Sequence, residues 1–134
     1  MQWAALVVWV LTAGGGLVLA TQWVRRDGPQ QEVGIRTARL ASHVVLAVTG
    51  LALWIAYVVT DNDVLGWIAV AILVAVAAIG FSMLAIWLRG HSSRGEPTEM
   101  PAETAFPLPL VLGHGALGVT TLTLSLLAAL GVAT

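Results

Sequence analysis

Four long stretches of the chain carry no charge: Trp3 to Val24, Leu40 to Val59, Val64 to Leu88 and Phe106 to Val132 contain no Asp, Glu, Lys or Arg. At a rise of about 1.5 Å per residue, roughly 20 helical residues cover the roughly 30 Å of a bilayer's hydrocarbon core, so each stretch predicts a transmembrane helix. The short alternating segments of a closed β-barrel are absent. Composition agrees: 58% of residues are hydrophobic, 10% are charged and mean hydropathy is +0.90. The expectation is an all-α integral membrane protein. The 134 residues are read as one domain, with helices at about 3–24, 38–59, 64–88 and 107–132. The first run lacks a basic leader and is long for a signal peptide, so it is taken as a retained helix.

The arginines orient these helices. Arg25, Arg26, Arg36 and Arg39 flank the first connection, Arg89 and Arg94 flank the third, and the second is the acidic Thr60-Asp61-Asn62-Asp63. The positive-inside rule then puts the arginine side in the cytoplasm and both termini outside. Arginine without lysine, amid abundant Ala, Val, Leu and Gly, suits a GC-rich bacterial genome, and the expected location is the bacterial plasma membrane. Short connections favour an up-down-up-down four-helix bundle. Trp23 and Trp87 fall near the cytoplasmic interface and Trp3 and Trp67 near the outer one, where aromatic belts lie. The segment from His91 to Ala105, with Ser92, Ser93, Pro97, Pro101 and three glutamates, reads as a solvated loop. Pro107 and Pro109 suit the start of the fourth helix.

Charge and residue types exclude several functions. There is no cysteine, so neither disulfides nor thiolate-bound metals contribute, and a net charge of -1 gives no reason to expect nucleic acid. No Ser-His-Asp set can be assembled for hydrolysis, because every carboxylate lies in a connection. The spans hold no ionisable residue except histidine, which argues against a transporter or channel.

Two histidines are the exception to apolarity. His43 lies near the start of the second run and His114, between Gly113 and Gly115, near the start of the fourth. Both runs leave the arginine side, so the two residues share a leaflet and sit on diagonal helices of the bundle. Helical steps from His114 reach Gly118, Thr121, Ser125 and Ala128; those from His43 reach Ala47, Gly50, Trp54 and Tyr57. On the third helix Ala71, Ala75, Ala78, Ser82 and Ala85 form a comparable line. Small stripes permit close helix packing, and they also make room for a flat macrocycle.

Each histidine has a plain alternative role as a hydrogen-bonding group: His43 with Ser42 or Thr121, and His114 with a backbone carbonyl or Thr49. As a pair at one depth they can also hold a shared ligand. Zinc and non-haem iron take three or more protein ligands, whereas haem needs two axial imidazoles. Arg39, one turn before His43, is placed to meet a haem propionate or to anchor the helix at the lipid phosphates. Gly50 and Gly118 are expected along the macrocycle. His91, beside Arg89 and Gly90, reads as interfacial.

With these residues in place, the pattern of His43, His114 and Gly50 in a four-helix bundle resembles the small membrane b-type cytochromes. The resemblance implies one haem b between the second and fourth helices and electron transfer with a quinone or another membrane redox partner. Those families often carry further histidines for a second haem, which this sequence lacks in its outer half. The phrases LALWIAYVV and PAETAFPLPLVLGHG are also similar to those of small uncharacterised four-span proteins of actinobacteria, which implies no activity. The competing expectation is a haem-free accessory subunit in a homo-oligomer or larger membrane complex, with Gly14, Gly15, Gly16 and Ala20 as a packing face.

Overall fold

A computed structural model describes residues 1–92 and 100–132. Four long helices, α1 (Gln2–Arg25), α2 (Thr37–Thr60), α3 (Asp63–Ser92) and α4 (Leu108–Ala129), account for most of them, with short 3-10 turns at Gly28–Gln30 and Ala102–Ala105. No strand occurs among the described residues. Each helix is long and apolar enough to cross a membrane. The third runs four residues beyond its expected end at Leu88. Part of the connection expected to be solvated, including Ser93, Arg94, Pro97 and two of its glutamates, lies outside the described residues.

Few polar side chains interrupt the helices, and most of their hydroxyls turn back to the preceding turn. Thr12 donates to the Val8 carbonyl, Thr21 to Leu17, Thr120 to Ala116 and Thr123 to Val119. This bonding lets a hydroxyl sit in apolar surroundings without an outside partner. The link from α2 to α3 is tight: Asp61 caps α2 with a left-handed φ of 49°, and the Asn62 side chain accepts the Val64 N–H at 3.1 Å. An acidic residue, Asp63, opens α3, where the helix dipole favours negative charge.

The helices form a ring in chain order. The closest packing pairs α2 with α3 and α1 with α4; α1 meets α2, and α3 meets α4, more loosely. Two tightly packed layers therefore face each other, and α2 and α4 stand on a diagonal. Toward the Asp61–Asp63 end the layers close on a solid core. Trp54, fully buried, lies with its ring centroid 6.0 Å from that of Trp9 and 4.9 Å from that of Tyr57, and its Nε1 donates to the Gln2 carbonyl.

At the arginine end the two long connections hold each other. The Ile35 N–H donates to Glu103 Oε1 at 2.9 Å, and the Ala102 N–H donates to Gln31 Oε1 at 2.8 Å. Glu103 is 2% exposed, which corrects the expectation that this carboxylate belongs to a solvated loop. It displaces solvent because Gly34, at φ +81°, has no side chain where the carboxylate lies.

Three further expectations change or sharpen. Trp3 and Trp67 are exposed as belt residues should be, but Trp23 and Trp87 are each 3% exposed and pack inward. The alanine line on α3 faces outward at Ala71, Ala75 and Ala78; Ala69, Leu73, Val76 and Gly80 turn toward the bundle instead. On α4 Thr121 and Ser125 are buried on the expected inward face and Leu112, Val119, Leu126 and Leu130 are exposed, but Leu122, expected on the lipid side with them, turns inward to line the cavity.

Candidate functional site

Between the two layers, from mid-bundle to the arginine-end connections, lies a cavity of about 480 Å³ walled by all four helices. Its surface is almost wholly apolar, and among the described residues His43 and His114 are its only ionisable lining residues. One histidine comes from each layer. Their ring centroids are 6.3 Å apart with the planes inclined at 68°.

The two histidines are held by the same contact made twice. His43 Nδ1 lies 3.1 Å from the Val76 carbonyl on α3, and a Cβ at Gly80, one turn further along, would come within 3.2 Å of His43 Cε1. His114 Nδ1 lies 3.0 Å from the Thr12 carbonyl on α1, and a Cβ at Gly16, again one turn on, would come within 2.9 Å of His114 Cε1. Each imidazole thus reaches a helix carbonyl that already serves the helix, through the gap a glycine leaves one turn later. A carbonyl can only accept, so Nδ1 carries the proton and Nε2 keeps its lone pair. This is the arrangement that orients a metal-binding imidazole: one ring nitrogen donates to a carbonyl and the other is left for a ligand.

The repeated contact belongs to a repeat in the chain itself, which the composition and charge reading missed. Trp3 and Trp67, Ala5 and Ala69, Gly16 and Gly80, Trp23 and Trp87, and Arg25 and Arg89 are each 64 residues apart on α1 and α3. On α2 and α4 the pattern H-x-x-L-x-V-T-x-L-x-L occurs at His43 to Leu53 and again at His114 to Leu124, 71 residues apart. Comparing the chain with itself at these two offsets reveals it. The first two helices and the last two are therefore equivalent hairpins, related by a half-turn about the bundle axis. All the cavity-lining residues except Gly14 and Thr121 fall into pairs that this half-turn exchanges.

The other expected site residues are placed as follows. Gly118 lines the cavity, with Thr12 Cγ2 4.0 Å from where its Cβ would be. Gly50 is buried outside the cavity wall, where a Cβ would meet Trp9 at 3.1 Å and Ile72 at 3.2 Å, so it admits the Trp9 ring to the solid core. Arg39 is exposed beside the cavity, and its Nη1 donates to Ser82 Oγ on α3 at 3.4 Å. Among the described residues no cationic side chain lines the cavity. Gly113 and Gly115 leave the backbone beside His114 open.

The spacing permits a test of fit. With metal–imidazole bonds of roughly 2.0–2.1 Å and about 1.15 Å from ring nitrogen to ring centre, two imidazoles in line on one metal have centroids about 6.3–6.5 Å apart. The observed centroid separation of 6.3 Å lies at the short end of that range. No group of three or more His, Cys, Asp or Glu that could hold a metal ion occurs among the described residues. No family model, curated protein or solved structure matches this chain.

Proposed function

We propose that this chain is a membrane-embedded b-type haem protein, with His43 and His114 as the two axial ligands of one haem b, and that it transfers electrons with a quinone or another membrane redox partner. The observation that carries this reading is the duplicated histidine contact, which leaves one uncommitted nitrogen on each of two imidazoles 6.3 Å apart in a shared apolar cavity. Haem, when bound, supplies one-electron redox chemistry. The chain's own residues do the rest. The Val76 and Thr12 carbonyls fix the imidazole tautomers, Gly16 and Gly80 let the rings approach, and the apolar walls keep water away. Arg39, exposed and bonded to Ser82, would be the residue to meet a propionate.

In this reading the four helices cross a bacterial plasma membrane up-down-up-down, with the six arginines cytoplasmic and both termini outside. A cysteine replacing Asn62 is labelled by a membrane-impermeant reagent from outside, and one replacing Glu32 is protected; the reverse pattern inverts the topology.

A haem-free accessory subunit is the second reading. It is favoured by the fact that each imidazole already has a hydrogen-bond partner, so neither needs a ligand. The deciding experiment is a reduced-minus-oxidised visible spectrum of protein purified in mild detergent from haem-replete cells. The haem reading expects six-coordinate low-spin absorption that His43→Ala and His114→Ala each abolish. Arg39→Ala retains it with weaker haem binding or a lower potential, since removing a positive charge favours the oxidised state. Wild-type spectra in both histidine variants, or a colourless protein, sink the haem reading and leave the accessory one.

A further inference from the structure

The cavity has an open side. Among the described residues, five large apolar side chains of its wall, Leu17, Val44, Val48, Phe81 and Val119, are between 41% and 69% exposed. Residues that both line a cavity and face outward border a gap between helices. The close pairs, α1 with α4 and α2 with α3, leave no such gap, so these five stand at the looser seams. Leu17, Val44 and Val48 border the seam of α1 with α2, the loosest of the four; Phe81 and Val119 border that of α3 with α4. Helix geometry turns Leu17 toward α2. Gly15 and Gly16 both face His114 on α4, and the next residue is rotated a further step of about 100° away from them.

The α1–α2 seam is closed above and below. Toward the Asp61–Asp63 end Trp9 packs on Gly50, where a Cβ would come within 3.1 Å of its ring. At the arginine end Trp23, Trp87 and Ile35 line the cavity and are buried, and the connection that carries Ile35 is held by Glu103. What stays open is lateral. Leu17 is eight residues from the end of α1 at Arg25 and Val48 eleven from the start of α2 at Thr37, roughly 12 and 16 Å along their axes. A bilayer's hydrocarbon core, roughly 30 Å thick, therefore meets the opening directly.

We propose that the cavity takes in the acyl chain of a membrane lipid through the seam between α1 and α2. Neither vacuum nor water suits the space. Left empty, a cavity of about 480 Å³ forfeits the dispersion contacts of every residue around it. A buried water needs about two to four polar partners, and the nearly apolar wall offers little beyond the second nitrogen of each imidazole. A hydrocarbon chain needs no polar partner, and it is the medium at the opening. The inference concerns the cavity when no haem occupies it, so it stands or fails apart from the haem reading.

The test uses the full chain from haem-limited cells, reconstituted in phosphatidylcholine vesicles containing a lipid with a diazirine midway along one acyl chain. Illumination is followed by mapping of adducts by mass spectrometry. Val45, exposed and outside the wall, reports ordinary lipid contact; Leu73 and Val76, buried in the bundle and lining the cavity, report a chain inside it. Adducts are expected at all three. Val48→Trp and Leu17→Trp, which fill the seam from opposite sides, each lower the Leu73 and Val76 adducts by about fivefold or more and spare those at Val45. Val119→Trp, the same change at the other seam, leaves all three within about twofold of wild type. Adducts confined to Val45 in the wild-type chain overturn the inference. Interior labelling that survives in both V48W and L17W overturns it as well, as does a loss in V119W that equals or exceeds theirs.

Discussion

The two ends of the bundle treat the same symmetry differently. At the histidine level and toward the arginines, the residues that hold and frame the imidazoles are matched: His43 and His114, Gly16 and Gly80, Trp23 and Trp87. Toward the other end the inward positions of α2 and α4 diverge: Gly50 is matched by Thr121, Trp54 by Ser125 and Tyr57 by Ala128. The first end encloses a cavity and the second a solid core. Two-fold symmetry accounts for the difference. Across an axis, two large residues collide and two small ones leave a void, so close packing at native density needs one of each. A space kept open needs the opposite, and conserving small or matched residues on both sides provides it.

The largest effect should come where symmetry is most broken. Trp54 is fully buried against Trp9 and Tyr57, so Trp54→Ala opens a void and destabilises the folded protein by about 3–5 kcal/mol. Its counterpart Ser125 is also fully buried, and its Oγ has no hydrogen-bond partner among the described residues. Ser125→Ala removes an unsatisfied group and should be neutral or stabilising. Thermal unfolding in detergent separates the two; similar losses in both variants would refute the division between a large and a small partner.

Next in size is the matched glycine pair. A Cβ at Gly16 meets His114 at 2.9 Å, and one at Gly80 meets His43 at 3.2 Å. Both alanine variants push an imidazole away from its carbonyl, at an overpacking cost of about 1–3 kcal/mol. On the haem reading, Gly16→Ala weakens haem binding by about 10-fold to 100-fold, and Gly80→Ala by less. Haem titration monitored by absorbance measures both, and equal affinity to wild type in G16A would show that the ring shifts freely.

Glu103 and its equivalent Glu32 extend the comparison to the connections. Glu103 is buried and accepts the Ile35 N–H; Glu32 is exposed. Glu103→Ala strands that buried N–H and costs about 1–3 kcal/mol, whereas Glu32→Ala leaves stability unchanged within error. Equal unfolding temperatures for the two variants would show that the clasp between connections contributes nothing.

Much of this was legible in the sequence for a simple reason. Helix count and the inward faces of α2 and α4 follow from charge punctuation and period, because a span excludes charge along its length and its small or polar stripe marks the side turned from lipid. The pairing of His43 with His114 was legible because each is an ionisable residue in an apolar run. What stayed hidden depends on neighbours. Trp23 looks like an interfacial tryptophan until Gly28 backs onto its ring, and Glu103 looks solvated until Gly34 makes room for it. On α3 the alanines form a tidy line, yet bulkier Leu73 and Val76 face inward because the opposing layer leaves space there. The glycines that admit the histidines were visible as letters, but their partners were set by the half-turn, which only comparison of the chain with itself exposes.

The smallest effect tests whether symmetry at the histidine level is a matter of backbone alone. Thr12 supplies the carbonyl for His114, and its equivalent Val76 supplies the one for His43. The side chains differ: Thr12 Oγ lies 3.0 Å from Thr121 Oγ, while Val76 offers nothing comparable. Thr12→Val keeps the carbonyl and removes only that hydroxyl contact, making the two halves more alike. Thr121 still donates to the Leu117 carbonyl, so no donor is stranded. Interhelical polar contacts of this kind contribute about 0.6 kcal/mol, and the loss of stability should be of that order. The low-spin spectrum should be unaltered, because the contact that orients His114 runs through the main chain. A spectral change in T12V comparable to that of G16A would show that the Thr12–Thr121 pair, and not the carbonyl, holds the imidazole in place.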